Sequence, residues 1–353
     1  MQESVNLTID DRRLIDALQI SPRASWSAVG DALGITAVTA ARRWQRLTEA
    51  GAAWVTVAPG MAYRAEQMLA YVEITCPPAR RFEVANALAH HHLAITVELT
   101  TGTADILVTV AAADLNTLSH YLLDHLGLVE HVLSTRARIA TRLYTEGSAW
   151  RLGELSREAS AAMEREQLRH DDHTEAEPPK AITPSLKMML TRLAVDGRAS
   201  YADLADLAGI SPTNARRQVS QLLRSGVIIS RTDLSAATSG WPVQVYLWAN
   251  APVEVLAESA RALSRFRQAR LCATVTAGPS LVLGAWLRTV EEVHRLELAI
   301  AAKLPQVEIL DRLVVLRTVK RMGRLLDHSG RAVGVIPINI WDDLLEHEHP
   351  AAG

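Results

Sequence analysis

The same short pattern occurs twice in this chain, at a constant spacing. Arg23-Ala24-Ser25-Trp26 recurs as Arg198-Ala199-Ser200-Tyr201, a shift of 175 positions. The same shift carries Gly34-Ile35-Thr36 onto Gly209-Ile210-Ser211. Self-similarity over a long period fixes architecture before any local feature does. The 353 residues are long enough for two or more domains, so the chain is predicted to contain two compact units with the same order of elements.

Each copy opens with the pattern of a helix-turn-helix. In the first copy, Leu14 and Leu18 lie one turn apart on a buried face, which indicates a first helix. Ser25 is placed to cap a second helix, and Gly34 supplies the tight turn because glycine tolerates positive φ. Thr36 then caps a third helix, which is predicted to end at Gly51. The second copy follows the same plan.

The third helix of each copy has the pattern of a helix that reads DNA. Such a helix buries one stripe, here Ala40, Trp44 and Leu47, and presents polar and basic side chains on the opposite face. Arg can fork onto guanine, whereas Asn and Gln suit adenine. The predicted DNA contacts are Thr36, Val38, Thr39, Arg42, Arg43, Gln45 and Arg46 in the first copy, and Ser211, Thr213, Asn214, Arg216, Arg217, Gln218 and Gln221 in the second. The alternative is that these are solvated faces of ordinary helices.

Charge is distributed unevenly between the two copies. The chain carries a net charge of −2, whereas proteins that bind DNA over much of their surface are usually basic. From Lys180 to Arg231 there are eight Lys and Arg against three Asp and Glu, but from Asp10 to Glu49 the numbers are six and five. The second helix-turn-helix is therefore predicted to attract DNA more strongly.

Composition also bounds the compartment. No run approaches the roughly 18 apolar residues that span a bilayer, and the N-terminus lacks the basic-then-apolar pattern of a secretory signal. Cys76 and Cys272 are not at equivalent repeat positions and form no CxxC pair, which predicts free, buried thiols. A cytoplasmic protein without a membrane partner is expected.

A βαββαβ order follows each helix-turn-helix, which predicts an antiparallel sheet with two helices on one face. In the first unit the predicted strands are Ala70–Thr75, Ile95–Leu99, Asp105–Val110 and Val129–Leu143, and the predicted helices are Arg80–His92 and Asp114–Leu126. In the second unit the strands are Val243–Ala249, Ala269–Thr276, Leu281–Leu287 and Val307–Lys320, and the helices are Pro252–Phe266 and Val290–Lys303.

These patterns divide the chain into six parts. The predicted domains are a helix-turn-helix at 8–58, a βαββαβ domain at 68–145, a helical and charged linker at 146–181, a second helix-turn-helix at 182–234, a second βαββαβ domain at 242–325 and a tail at 326–353. Within the linker, Trp150–Leu168 is predicted to be a short amphipathic helix. In the tail, Val333–Trp341 is predicted to pack on the second unit.

Together these motifs resemble the Lrp/AsnC, or feast/famine, family of bacterial transcription regulators. The resemblance is carried by Gly34 to Leu47, by Gly209 to Arg217, and by the hairpin from Leu99 to Val108. It implies an α+β fold with two repeats, each a winged helix-turn-helix followed by a ferredoxin-like βαββαβ domain of the RAM or AsnC type. The usual family member has one unit, so two units in one chain predict an internal mimic of a dimer.

The resemblance further implies a sequence-specific regulator of double-stranded DNA whose assembly or DNA binding responds to a small metabolite, commonly an amino acid. Carried over by position, Thr100, Thr101, Gly102 and Asp105 would line the effector site, with Asp105 holding an ammonium group. Alternatively, Gly102 only makes a hairpin turn and Asp105 only caps it. In the second unit Leu281 takes the place expected for the acidic residue, which weakens the case for a ligand there.

Two other functions remain open. Sirohaem decarboxylases share this architecture and would need Arg, His or Tyr side chains converging on a tetrapyrrole, for which His91, His92 and His131 are conceivable. An assembly protein whose helix-turn-helix domains have lost DNA affinity is also compatible with the weak charge of the first copy.

Catalytic and metal motifs are scarce. The sequence has no GxGxxG after a strand, no phosphate loop and no nucleophile elbow. Consecutive residues of His90-His91-His92 point in different directions on a helix, and His347-Glu348-His349 lies near the end of the chain. We expect no enzyme activity, no cofactor and no metal site. Because open sheets leave edges to cover, we expect a homodimer or higher homo-oligomer through the sheet domains.

Overall fold

The computed structural model describes residues 7–60, 67–170, 177–179 and 182–340. Its helices are α1 (Ile9–Ile20), α2 (Trp26–Leu33), α3 (Ala37–Glu49), α4 (Arg81–Ala89), α5 (Leu115–His120), α6 (Arg157–His170), α7 (Pro184–Val195), α8 (Tyr201–Ala208), α9 (Pro212–Arg224), α10 (Val253–Leu263) and α11 (Glu291–Lys303). Its strands are β1 (Ala53–Pro59), β2 (Met68–Thr75), β3 (Ala94–Thr100), β4 (Ile106–Ala112), β5 (Ser134–Thr145), β6 (Ile228–Leu234), β7 (Val243–Asn250), β8 (Ala269–Val275), β9 (Leu281–Leu287), β10 (Glu308–Arg321), β11 (Arg324–Leu326) and β12 (Ala332–Val335).

The two helix-turn-helix domains, α1–α3 with β1 and α7–α9 with β6, form as the repeat predicts. Thr36 caps α3 by accepting a hydrogen bond from the amide of Thr39, and Ser211 caps α9 in the same way. The turn glycines Gly34 and Gly209 adopt left-handed φ of 69° and 65°. Each domain buries a core of its own, so each repeat folds around the stripe that its sequence pattern predicts.

The eight long strands of the two sheet units form a closed ring, the strand ring, in the order β10-β3-β4-β2-β5-β8-β9-β7 and back to β10. The last strand of each unit closes it. β5 pairs with β2 through Ser134–Ile139 and with β8 through Ala140–Thr145. β10 likewise pairs with β7 in its first half and with β3 in its second. The two βαββαβ units therefore pair with each other inside one chain.

This closure removes the reason given above for self-association. The expectation of a homodimer rested on open sheet edges, but within the described residues each strand of the ring has a neighbour on both sides. In the described part of this larger sheet the edge strand is β12, a four-residue strand joined to the ring through β11. Long last strands supply intramolecularly the pairing that a separate chain was expected to provide.

An internal two-fold axis relates the two halves. β1 and β6 form an antiparallel two-stranded ribbon in which Thr56 lies opposite Arg231, and these two positions are themselves separated by the repeat shift of 175. The ribbon is therefore centred on equivalent residues. It connects the two helix-turn-helix domains to each other and lies against the strand ring.

Four sequence predictions are wrong in detail. The helix predicted for Arg80–His92 ends at Ala89, so His91 and His92 lie beyond it. The last strand of the first unit begins at Ser134 rather than Val129, and the helix predicted for Asp114–Leu126 ends as an α-helix at His120 and continues as a wider turn. The predicted helix Trp150–Leu168 begins only at Arg157.

The segment before that helix is not helical, and its backbone amides donate to side chains of α1. Asp16 accepts hydrogen bonds from the amides of Gly153, Glu154 and Leu155, and Leu152 donates its amide to Gln19. These contacts hold the backbone in a shape that is incompatible with a helix, while α6 beyond it packs on α1 and α2.

The tail packs mainly on the first unit, not on the second as predicted. After the β11–β12 hairpin, the amide of Ala332 donates to the carbonyl of Gly51 in the first helix-turn-helix. Ile338 and Ile340 are buried in the core of the first sheet unit. Because β10 crosses onto the first sheet, the chain that follows it is delivered there. Trp341 and His347-Glu348-His349 lie outside the described residues.

Two further findings concern the described part of the chain. Cys76 and Cys272 are free and buried, as predicted. No described helix is long and apolar enough to cross a membrane.

Candidate functional site

The exposed face of α3 carries the predicted set of the first copy. Ala40, Trp44 and Leu47 point inward and are buried. Thr36, Val38, Thr39, Arg42, Gln45 and Arg46 are exposed, and Arg43 is half-buried. The face is therefore polar and accessible, as a reading helix requires.

Acidic residues of α1 form ion pairs with two of the three arginines on this face. Arg43 pairs with Asp10 at 3.0 Å between Nη1 and Oδ2. Arg46 donates to Asp11, which is buried in the capping box of α1. Arg42 has no ion pair within the part of the chain that the structure describes. The first helix-turn-helix thus keeps one unopposed arginine on its reading face.

The exposed face of α9 is basic and unopposed. Arg216 and Arg217 are both exposed, and neither forms an ion pair among the described residues. Arg217 instead donates to the Asn214 side chain at 2.8 Å. The positions equivalent to Asp10 and Asp11 are Ser185 and Leu186, which carry no charge.

The remaining predicted residues of the second copy divide by exposure. Ser211 and Thr213 are exposed beside the N-terminus of α9, while Gln218 is half-buried. Gln221 is half-buried and donates its side-chain amide to the carbonyl of Glu177 at 3.0 Å. The two arginines and the first turn of the helix therefore form the accessible part of this face.

A reciprocal clamp fixes one helix-turn-helix against the other. Arg23 donates to the carbonyls of Gly197 and Ala199, and Arg198 donates to those of Pro22 and Ala24. The carbonyls on one side are 175 positions from those on the other, so the contact obeys the internal two-fold.

Each clamp arginine also lies over an aromatic ring of the opposite domain. The Cζ atom of Arg198 lies 4.0 Å from the ring centroid of Trp26, and that of Arg23 lies 4.9 Å from that of Tyr201. Burial, together with the neighbouring Arg23, lowers the pKa of Arg198 to about 10. Both arginines stand in the repeated Arg-Ala-Ser pattern. Sequence reasoning used that pattern to find the repeat but missed its role in the clamp.

The hairpin predicted to bind an effector contacts β10 of the second unit. The Thr101 amide donates to the carbonyl of Val314 at 2.9 Å, and Val314 returns a bond to the Thr101 hydroxyl at 3.0 Å. Gly102 has φ of 90°, and a Cβ there would lie 2.9 Å from the Leu313 side chain. Thr100 is buried and donates its hydroxyl to the carbonyl of Ala104. Thr100, Thr101 and Gly102 therefore lie where β10 of the second unit pairs with β3 and closes the strand ring.

Asp105 is engaged by two groups of its own unit. Its Oδ2 accepts the amide of Cys76 at 2.9 Å, and its Oδ1 is paired with the guanidinium of Arg81. The structure thus brings the four predicted effector residues onto one hairpin. Both carboxylate oxygens of Asp105 already have protein partners.

The equivalent hairpin of the second unit corrects the sequence alignment. Under the constant shift, the residue that matches Asp105 is Ser280, not Leu281. Ser280 accepts the amide of Ala251, the equivalent of Cys76, so a serine makes the same cap there. The error came from aligning Gly278 with Gly102, whereas Ala277, with φ of 57°, occupies the glycine position.

A buried ionic network, which sequence reasoning missed, joins the β1–β6 ribbon to the strand ring. The carboxylate of Asp233 on β6 forms ion pairs with the guanidiniums of Arg231, at 2.7 Å, and of Arg270 on β8, at 3.0 Å. Arg231 also pairs with the carboxylate of Glu146, at 2.9 Å. Burial alone raises the pKa of Asp233, but the two guanidiniums outweigh it and hold the pKa at about 2. Burial lowers the pKa of Arg270 to about 10 despite Asp233. No local pattern links these distant positions.

The histidines weighed for a tetrapyrrole lie apart from the ribbon. His91 stacks on His92, Tyr121 and His125 with ring centroids 4.1–4.6 Å apart. Burial, with the neighbouring histidines and Lys320, lowers the pKa of His91 to about 3. Within the described residues, no group of three His, Cys, Asp or Glu side chains is arranged to hold a metal ion.

Two further groups complete the histidine neighbourhood. Lys320 donates to the His91 carbonyl at 2.8 Å, and burial lowers its pKa to about 7. His131 lies separately, with Nε2 3.8 Å from Glu83 and 3.5 Å from Glu130. The three histidines therefore do not converge on one point.

Three parts of the chain match known domains. Residues 7–48 match the AsnC-type helix-turn-helix domain, and residues 69–150 match the Lrp/AsnC ligand binding domain. Residues 184–229 match a winged helix-turn-helix DNA-binding domain. The three matches follow the order of the repeat and lie in both of its copies.

Similar proteins each span about one unit of this chain. An uncharacterized HTH-type transcriptional regulator of Pyrococcus furiosus is 29% identical over 140 residues, which cover 39% of this chain and 95% of that protein. A second, from Pyrococcus horikoshii, is 25% identical over 146 residues, covering 41% and 92%.

One solved structure has a similar fold over both units. The siroheme decarboxylase NirDL aligns with a TM-score of 0.56 and 12% identity, covering 89% of this chain and 93% of that one. At this identity the likeness concerns the fold alone. It supports the two-unit α+β architecture.

Proposed function

The chain belongs to the Lrp/AsnC family of transcriptional regulators, in a tandem two-unit form, and we propose that it is a sequence-specific double-stranded DNA-binding regulator modulated by a small metabolite. One observation carries the proposal. The Arg23–Arg198 clamp and the β1–β6 ribbon hold two helix-turn-helix domains about an internal two-fold. Paired half-sites on DNA are read by domains related in this way.

The two reading faces differ, and this predicts the form of the operator. Helix-turn-helix dimers mirror their own symmetry in the pseudo-palindromes that they bind. Here the geometry is symmetric but the side chains of α3 and α9 are not, so one chain is expected to bind two unlike half-sites. The half-site read by α9 dominates, because Arg216 and Arg217 are exposed and no described carboxylate pairs with them.

The DNA-contact set divides accordingly. On α9 and its cap we assign the main contacts to Arg216 and Arg217, with Ser211, Thr213 and Asn214 at the N-terminal end and Gln218 and Gln221 at the edge. On α3, Arg42 is the leading candidate, supported by the exposed residues Thr36, Val38, Thr39 and Gln45. Arg43 and Arg46 contribute only when they leave Asp10 and Asp11.

The test is selection of genomic fragments by the purified full-length protein, with sequencing, at moderate salt. The expected result is a small number of discrete sites, each with two unlike half-sites. Uniform recovery, or none, would contradict a sequence-specific regulator. Unchanged cellular regulation by the Arg216→Ala/Arg217→Ala variant would instead favour an assembly protein without DNA affinity.

The metabolite belongs to the proposal as a class, with an amino acid as the expectation from the family resemblance. Thr100, Thr101, Gly102 and Asp105 remain a predicted effector site at the ring closure. Replacement of Asp105 by Asn tests it, because loss of effector response without loss of fold would assign the carboxylate a ligand. Repeating the fragment selection with pooled amino acids identifies the responsive sites.

An enzymatic role is not part of this proposal. In the described structure His91 and His92 lie in one aromatic cluster and His131 beside Glu83 and Glu130, so they do not surround a common space. The sharp test is titration with an iron tetrapyrrole. A stable absorbance band that requires His91 or His131 would contradict the non-enzymatic proposal.

Self-association and cellular location complete the proposal. The resemblance to the family supports a homo-oligomer, and Leu123, Leu128 and Leu133 are exposed apolar residues of the first unit that an interface could cover. Light scattering measures whether the mass exceeds the 38.6 kDa of one chain. Action on DNA implies a cytoplasmic protein.

A further inference from the structure

A cavity of about 150 Å³ lies on the internal two-fold, between the strand ring and the β1–β6 ribbon. Positions separated by the repeat shift face it from both units: Tyr71 and Tyr246 are one such pair. Ala58 of β1 and Arg231 of β6 also line it, so the cavity touches the ribbon that joins the two helix-turn-helix domains.

The two units line this cavity unequally. At four pairs of equivalent positions the residues differ in chemistry; named with the first unit before the second, these pairs are Leu69 and Gln244, Ile95 and Arg270, Ala111 and Trp286, and Glu146 and Arg321. Three of the four replace an aliphatic side chain by a polar or aromatic one. The first unit therefore contributes an apolar wall at Leu69, Ile95 and Ala111 in addition to the carboxylate of Glu146, and the second contributes a cationic, aromatic wall.

Two arginines flank one ring on the second wall. The Cζ atoms of Arg270 and Arg321 lie 3.8 Å and 5.0 Å from the ring centroid of Trp286. Arg270 uses its Nη2 to donate to Asp233, and Arg321 uses its Nη2 to donate to Thr318 and Gln244. Both residues are more than nine-tenths buried.

Each arginine retains a buried donor without an acceptor. The Nη1 atoms of Arg270 and Arg321 have no hydrogen-bond partner among the described residues, and neither has the hydroxyl of Tyr71. Leaving a buried donor unsatisfied destabilises the protein, and more so when the donor is charged. Three such groups lining one cavity indicate that a bound molecule supplies the missing acceptors.

The carboxylates that line the cavity are already satisfied. Glu98 accepts from Tyr246 at 2.8 Å and from Thr318 at 3.2 Å. Glu146 accepts from Arg231 and from the amide of Ser148. Apart from the acceptor Oε1 of Gln67, the unmatched groups at this cavity are donors, so the missing molecule carries acceptors, and a negative charge suits two guanidiniums best.

We propose that this cavity binds one small organic carboxylate with a compact apolar body. The carboxylate lies on the Nη1 atoms of Arg270 and Arg321, and the body lies against the wall of Leu69, Ile95 and Leu143. A dry cavity of about 150 Å³ is large enough for one benzene ring, so a body of about five or six carbons fits. Because the first unit lacks both arginines at the equivalent positions, one chain binds one molecule.

This site gives the proposed regulator a class of ligand, the small organic carboxylates. Only the effect of the ligand on DNA binding rests on the proposed function. Arg270 also holds Asp233 of the β1–β6 ribbon. A carboxylate that binds the guanidinium of Arg270 therefore weakens or shifts its contact with Asp233, on a strand that positions both helix-turn-helix domains. Binding itself does not depend on a DNA function and is measured without DNA.

The first experiment is calorimetry of the full-length protein with 4-methylpentanoate and with 4-methylpentanamide, which has the same body without the charge. The expected result is saturable binding of one acid per chain and at least tenfold weaker binding of the amide. L-leucine is expected to bind at least tenfold more weakly than the acid, because a carboxylate held by Arg270 and Arg321 would bring the α-ammonium group close to two guanidiniums of the same charge. Equal or tighter binding of L-leucine, or no binding of the acid, overturns the assignment.

Variants locate the site. Arg321→Gln removes one guanidinium, and Ala111→Leu fills the apolar wall while leaving every arginine in place, so it decides the question if Arg321→Gln folds poorly. Both are expected to weaken binding of 4-methylpentanoate at least tenfold. The matched control is Arg317→Gln, on the same strand but packed on Phe82 outside the cavity, which leaves binding unchanged.

The outcomes separate this site from the regulator function. Binding that persists in both cavity variants, or that falls equally in the Arg317→Gln control, overturns the site. A protein that selects discrete DNA sites but binds no acid disproves the cavity ligand alone. A protein that binds the acid in this cavity but selects no DNA disproves the regulator alone.

Discussion

The two helix-turn-helix domains share a fold and a symmetric contact, yet their reading faces carry opposite electrostatic arrangements. In the first, Asp10 and Asp11 neutralise Arg43 and Arg46. In the second, the equivalent positions are Ser185 and Leu186, and Arg216 and Arg217 form no ion pair within the part of the chain that the structure describes. The backbone geometry that duplicates a reader has been kept, while the charge that drives DNA affinity has been concentrated in one copy.

The same division runs through the rest of the molecule. Tyr121, His125 and His91 of the first unit correspond to Leu296, Ile300 and Phe266 of the second, which are ordinary apolar residues packed in or against its core. When the two units of an interface lie in one chain, their sequences can differ, so each side of the interface can acquire its own residues. The comparison therefore predicts different consequences for the same substitution in the two halves.

The largest expected difference concerns DNA affinity. The Arg216→Ala/Arg217→Ala variant should lose about 100-fold in affinity for a selected operator, because each arginine contact is worth about 1–3 kcal/mol. The matched Arg42→Ala/Arg43→Ala variant should lose less than about tenfold, since Arg43 is held by Asp10. Fluorescence anisotropy at fixed salt measures both. Equal losses would break the comparison.

A second difference concerns stability and pH. Burial lowers the pKa of Lys320 from 10.5 to about 7, so folding releases a proton between these values and this lysine's contribution to stability rises with pH across that window. Lys320→Met should remove the rise and stabilise the protein at pH 6 by on the order of 2–4 kcal/mol.

Urea unfolding at pH 6, 8 and 10 measures this effect. Lys303→Met, at an exposed position on α11, is the control and should leave the pH dependence of the parent intact. A Lys320→Met variant with the parent's pH dependence would show that another group is responsible.

The clamp provides the third test. Arg198→Ala should destabilise the protein by about 2 kcal/mol, because it removes two hydrogen bonds to carbonyls and a close stacking contact on Trp26. Arg23→Ala should cost slightly less, because it also loses two hydrogen bonds to carbonyls but its ring contact with Tyr201 is longer. Denaturant titrations compare the two, and a reversed order would show that ring distance does not govern the contact.

The smallest expected effect comes from freeing the first reader. Asp10→Ser introduces the residue found at the equivalent position of the second unit and releases Arg43. Affinity should rise about two- to fivefold, and the salt dependence should steepen by about one phosphate contact. Asp31→Ser, at another exposed acidic position, is the control. An increase in the control equal to that of Asp10→Ser would indicate a general charge effect.

Local patterns predicted the helices, caps and turns well, because capping and buried stripes depend on residues a few positions apart. Thr36, Gly34, Ser211 and Gly209 all have the roles that their positions indicate. The repeat shift predicted two units of like architecture, and the resemblance to a family with one unit per chain predicted the internal mimic of a dimer. The caps and turns depend on residues close together in sequence, and the two-unit architecture depends on the repeat of 175 positions.

Contacts between distant segments escaped prediction for a physical reason. Whether β10 pairs only within its own sheet or also pairs with β3 depends on the energies of strand pairing. The alternation of polar and apolar side chains along the strand does not reveal these energies. The signal was its length, 14 residues against 7 for β8 and β9, which is enough for two neighbours in succession. The same crossing carried the tail to the first unit and placed Arg321 beside Trp286.

The covalent connection of the two readers has a consequence for dilution. In a regulator built from separate subunits, the pair of reading heads falls apart when the protein is scarce, and occupancy of the operator then drops more steeply than concentration. Here the Arg23–Arg198 clamp joins two parts of one molecule, so its formation is a unimolecular event with a fixed effective concentration. A cell holding only a few copies of this protein would still have every copy assembled and ready to bind.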